Sequence, residues 1–93
     1  MDNNIKVRQH HKLVMIDREQ MEIVGVEDVI SFDDQEIVIE TIRGILKLTG
    51  TDLHIKHLDL EAAKLDVEGL ISVLEYTENR GLSGKGIWRR LFR

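Results

Sequence analysis

The chain has 93 residues, 42% apolar and 32% charged, which is enough for one small domain with a modest core and no more. It has no cysteine, so a disulfide framework and a thiolate zinc site are excluded, and its uncharged runs are far too short for a spanning helix of about 20 residues. The net charge of −4 hides three parts: a mildly basic start, a body at 13–79 with sixteen acids against five bases, and an end at 80–93 with five bases and no acid.

That layout predicts a flexible N-terminal arm (residues 1–11), a folded domain (12–79) and a glycine joint with a basic tail (80–93). The start of the chain is polar and has no apolar h-region, so no secretory signal is expected and a soluble intracellular protein is the default. From Leu13 onward the apolar residues recur with period two, the mark of half-buried strands. Leu13 and Met15 alternate, then Met21 and Ile23, then Ile30 and Phe32. Ile37-Val38-Ile39 is apolar on both phases, which predicts a central strand covered on both faces. Leu46 and Leu48, Leu53 and Ile55, and Leu65 and Val67 alternate in turn, and a mixed run from Leu70 to Tyr76 closes the series. Isoleucine, valine and threonine together number 23, a β-branched content that favours strands over helices.

Turn signals separate these runs at Gly25, Asp33-Asp34, Gly44, Gly50-Thr51-Asp52 and Gly69. Three stretches share the form apolar-x-apolar-x-Gly: Met21 to Gly25, Leu46 to Gly50 and Leu65 to Gly69. Their unequal spacing argues against a solenoid and for three strands that each end at a turn glycine. The segment from Asp59 to Lys64 is long enough only for one helical turn or a tight loop. The expected fold is all-β, a small antiparallel sandwich or roll of about seven to eight short strands, followed by a short C-terminal amphipathic helix. An uncovered sheet edge makes self-association by strand pairing an expectation too, limited by the acids Glu36, Glu40, Asp66 and Glu68.

Gly81, Gly84 and Gly86 form a joint before Ile87-Trp88-Arg89-Arg90-Leu91-Phe92-Arg93. As a helix, this segment gathers Ile87, Trp88, Leu91 and Phe92 on one side, with Arg89, Arg90 and Arg93 as charge partners. It is too short to be a stable isolated helix, so it must gain order by docking. Its own sheet, a partner protein and a lipid interface are the three candidate surfaces, and Trp with Arg suits the last.

No catalytic constellation stands out. His54 and His57 are three apart, so a regular strand points them to opposite faces, and no supporting ligands accompany them or His10-His11. The stretch Gly81 to Gly86 lacks the Gly-x4-Gly-Lys-Ser/Thr spacing of a phosphate loop. Ser31, Ser72 and Ser83 have no nucleophile elbow. The acidic body would repel nucleic acid, and it offers only Phe32 and Tyr76 for stacking. No enzyme activity, cofactor, metal or nucleic acid is expected. A small-molecule or metal-binding β module is the alternative, which a polar-lined cavity would reveal.

From about Lys12 to Arg93 the chain resembles the YabP/YqfC family of sporulation proteins, more closely its YabP branch. The resemblance rests on Ile23-Val24-Gly25-Val26, Val29-Ile30-Ser31-Phe32-Asp33, Glu40-Thr41 with Gly44, and Leu46-Lys47-Leu48-Thr49-Gly50. It continues through Leu58-Asp59-Leu60-Glu61, Leu65-Asp66-Val67-Glu68-Gly69, Tyr76 and the ending Lys85 to Arg93. Ala63 departs from it, since the family tends to carry glycine before the next strand. The resemblance implies a non-catalytic protein of spore envelope and cortex assembly, acting in the mother-cell cytoplasm or peripherally at the outer forespore membrane. It implies other sporulation proteins as partners, the membrane protein YabQ being the natural candidate.

Overall fold

The computed structural model describes residues 10–77. Its regular elements are strands: β1 (Lys12–Ile16), β2 (Gln20–Val24), β3 (Val26–Phe32), β4 (Glu36–Thr41), β5 (Gly44–Asp59) and β6 (Lys64–Thr77). They form one antiparallel sheet in the order β1-β2-β6-β5-β4-β3. The all-β expectation therefore holds, with six strands in one sheet among the described residues where a sandwich or roll of seven or eight is expected. The reason is physical. The Leu46/Leu48 and Leu53/Ile55 windows lie on one strand of 16 residues, β5. The Leu65/Val67 and Leu70–Tyr76 windows likewise lie on β6, of 14 residues. The predicted C-terminal helix lies outside the described residues.

Gly50 and Gly69, read from the sequence as strand ends, instead sit inside these two strands. The β5–β6 register shifts between Thr49 and Gly50 and again between Thr51 and His54. A Cβ on Gly50 would lie 2.0 Å from the Leu70 carbonyl oxygen, and one on Gly69 would lie 2.5 Å from that of Asp52. The backbones cross too closely there for any side chain, so the glycines let the long hairpin bend without breaking.

The bend lets both halves of the sheet feed one core. Met21, Ile23, Leu65 and Val67 from one half join Ile37, Ile39, Leu46 and Leu48 from the other, all at most 3% exposed. Backbone bonds close the curl. Ala63 C=O accepts from Gly25 N–H and Val26 N–H, and Gly25 C=O accepts from Ile42 N–H. Val38 is also fully buried but stands outside that core cluster. With Ile37 and Ile39 equally buried, β4 is covered on both faces, as its two-phase apolar pattern predicted.

Local chemistry sets the turns. Asp33 Oδ1 accepts from Gln35 N–H at 2.8 Å and Glu36 N–H at 2.9 Å, which caps the β3–β4 connection. Thr41, a buried polar residue, donates its hydroxyl to Gly44 C=O at 2.7 Å and accepts from Arg43 N–H at 3.0 Å. Residues 60–63 make a tight turn rather than a helical one, held by Ala62 N–H on Asp59 Oδ1. Ala63 closes that turn with φ of 59°, the left-handed region that glycine favours.

Candidate functional site

Among the described residues, two strands of the sheet have one neighbour each, β1 and β3. They are built differently. Edge strand β3 carries Glu27 and Asp28 and is interrupted by register shifts between Val26 and Asp28 and between Val29 and Ser31. Edge strand β1 pairs with β2 without interruption from Lys12 to Ile16, and Leu13 to Ile16 is uncharged. Val14, Met15 and Ile16 are 36%, 41% and 53% exposed. The acids expected to guard an edge do not do so: Glu36 and Glu40 lie on β4, Asp66 and Glu68 on β6, all interior to the sheet.

On the face away from the core, β1, β2, β6 and β5 present a groove of about 250 Å³. Val14 and Ile16 form its apolar side, with Glu22, Asp66, Glu68 and Lys56 as its charged lining. The charges are organised. Lys64 Nζ sits 2.7 Å from Glu22 Oε2, Lys56 Nζ 3.3 Å from Glu68 Oε2, and His54 Nε2 3.1 Å from Glu68 Oε1. The hydrogen bond and charge of Lys64 hold the Glu22 carboxyl below the usual carboxylate range, and Glu22 raises Lys64 in return. Hydrogen bonds from His54 and Lys56 lower Glu68 in the same way.

His54 and His57 do not point to opposite faces. The register puts His54 opposite Glu68 and His57 opposite Asp66, with a shift between Ile55 and His57. Because Asp66 and Glu68 are two apart on one strand, they share a face, and the bulge brings both histidines to it. Among the described residues, no group of three or more His, Asp or Glu side chains is arranged to hold a metal ion.

A further contact joins the two ends of the domain. His11 donates from Nδ1 to Val24 C=O at 2.7 Å, which leaves Nε2 to accept the Tyr76 hydroxyl at 2.5 Å. The two rings meet edge to face at 5.8 Å. Partial burial raises the Tyr76 hydroxyl above its ordinary value. No local pattern in the sequence signals this contact, because His11 and Tyr76 are 65 residues apart. The tail residues Ile87, Trp88, Arg89, Arg90, Leu91, Phe92 and Arg93 lie outside the described residues.

The described residues thus offer two sheet edges, an apolar-and-charged groove and ion pairs. Comparison with known proteins agrees on the lineage. The YabP family model matches residues 7–83. The chain belongs to the YabP family. It is 35% identical over 88 residues to "Spore protein YabP" of Bacillus subtilis (strain 168), across 94% of this chain and 88% of that protein. The family match spans all six strands. Coverage of 94% leaves about six residues outside, so the likeness to the Bacillus subtilis protein runs on into residues 84–93.

Proposed function

We propose that this YabP family member is a non-catalytic spore protein that serves as a scaffold or recruitment module at the forespore surface during assembly of the spore envelope, the cortex above all. The observation that carries the proposal is the 35% identity to a spore protein over nearly the whole chain. The charge layout supports it. An acid-rich stretch at 13–79 is followed at 80–93 by a segment that combines five bases with apolar residues, a charge contrast suited to an anionic contact.

In this reading the protein works in the mother-cell cytoplasm and is held peripherally at the outer forespore membrane. Ile87, Trp88, Leu91 and Phe92 are the apolar anchors, and Arg89, Arg90 and Arg93 contact anionic partners or lipid headgroups. Other sporulation proteins are the partners, with the membrane protein YabQ as the first to test. The experiment is localisation of a fluorescent fusion in sporulating cells, with and without residues 84–93. The full chain should gather at the forespore surface and the truncated chain should spread through the mother cell. Identical patterns for the two would remove the tail from the proposal, and a diffuse full-length protein would remove the proposal itself.

A further inference from the structure

We propose that two copies of this chain associate by pairing their β1 strands antiparallel across a two-fold axis at Val14, extending the sheet from six strands to twelve. The inference rests on the β1 edge alone and is independent of the tail.

The unused backbone groups can be located. Glu19 N–H returns to Ile16 C=O at 3.0 Å, so the Ile16 peptide groups face β2. Backbone groups alternate sides along a strand, so Val14 and Lys12 also face β2, while Leu13 and Met15 aim their N–H and C=O outward. Among the described residues nothing pairs with that side. The contrast with β3 is instructive. There, bulges and acids obstruct strand addition; β1 is regular, uncharged from Leu13 to Ile16 and exposed on both of its faces.

The same facts select a second copy as occupant, because β1 is self-complementary with Val14 on the axis. With Val14 on the axis, Leu13 of each copy faces Met15 of the other, and these are the residues with outward groups. Four backbone hydrogen bonds form, and Val14 meets Val14 between them. Lys12 then lies opposite Ile16, so no like charges meet. Moving the axis to Met15 sets Lys12 against Arg18 and the apolar Leu13 against Asp17. Five residues a side bury less than the roughly 1,200 Å² of a stable interface, so the dimer is weak and answers to concentration.

The test uses the full chain in sedimentation over a wide concentration range. The mass should rise from one chain toward two. Val14→Lys and Val14→Glu each place like charges on the axis and should weaken association tenfold or more. An equimolar mixture of the two variants should restore it, which also shows that both are folded. Met15→Pro removes an outward N–H that the single chain does not use and should abolish pairing while leaving strand content unchanged by circular dichroism. A single-chain mass at every concentration would overturn the proposal. So would association that persists in both charge variants, or a mixture no tighter than either alone.

Discussion

Three glycines of this fold separate two reasons for being glycine. Gly44 and Gly69 have nearly the same backbone, φ of 129° and 128°, a region that side chains rarely adopt. Around Gly44 there is room, since a Cβ would come no nearer than 3.9 Å to Tyr76 Cδ2. At Gly69 the same atom would meet the Asp52 carbonyl oxygen at 2.5 Å and Leu53 Cα at 2.7 Å. Gly50 lacks the unusual φ, yet its Cβ would lie 2.0 Å from the Leu70 carbonyl oxygen. Gly44→Ala thus carries backbone strain alone, about 2 kcal/mol. Gly50→Ala carries crowding alone, and since the obstructing atoms are backbone the strands must part, at about 3 kcal/mol. Gly69→Ala carries both, about 5 kcal/mol, close to the whole stability of a small domain. Each kcal/mol lowers Tm by roughly 4–8 °C in a domain of this size. Thermal unfolding followed by circular dichroism should therefore rank the variants Gly44, Gly50, Gly69 in order of increasing loss. If Gly69→Ala is no worse than Gly44→Ala, the close crossing of β5 and β6 is not what bends the sheet.

Three further outcomes follow from particular contacts. Ala63 holds φ of 59° at the end of the β5–β6 turn, so Ala63→Gly should raise stability by about 0.5–1 kcal/mol after the entropy cost of glycine, read as a higher urea midpoint. Leu48, fully buried, should cost about 2–5 kcal/mol on truncation to alanine, whereas Val73, 44% exposed, should cost within about 0.5 kcal/mol in the same urea series. The Glu22 carboxyl is lowered from 4.5 by Lys64, so its stabilising contribution is present above pH 4.5 and fades as pH falls through the lowered value; Lys64 is raised from 10.5, so its share is present below pH 10.5 and fades as pH rises. Carboxyl chemical shifts should place the Glu22 midpoint below 4.5, and Lys64→Met should move it back up.

Much of this architecture can be read from side-chain alternation. Eight apolar windows correspond to the six strands, and Ile37-Val38-Ile39 announces a strand covered on both faces. Two features stay hidden because glycine looks the same at a turn and at a crossing. Gly50 and Gly69 read as chain reversals, yet the hydrogen-bonded ladder runs past both. The reverse error hides the β1–β2 turn. Asp17 and Arg18 have no glycine beside them, yet both take left-handed backbone. Long-range bonds hold them there: Ile71 N–H donates to Arg18 C=O at 2.9 Å, Gly69 N–H donates to Glu19 C=O at 3.0 Å, and Arg18 Nε donates to Ile71 C=O at 3.1 Å. No local pattern encodes such support.

The charged groove and the sheet edges are less legible for the same reason. Period two places His54 and His57 apart, and a bulge, invisible without the partner strand, brings them together. The acids Glu36 and Asp66 are guards for an edge only if their strands are edges, and strand order comes from the whole sheet. The apolar run Leu13 to Ile16 is plain in the sequence, but only the topology makes it an edge.

In the proposed reading the curled sheet stands on its own core and the last ten residues serve an external contact. Thermal unfolding of the full chain beside a chain ending at Ser83 tests this most directly. Both chains should unfold cooperatively with midpoints within about 4 °C of each other, since no more than about 1 kcal/mol is at stake. Loss of the cooperative transition in the shorter chain would place the tail in the core and contradict the account.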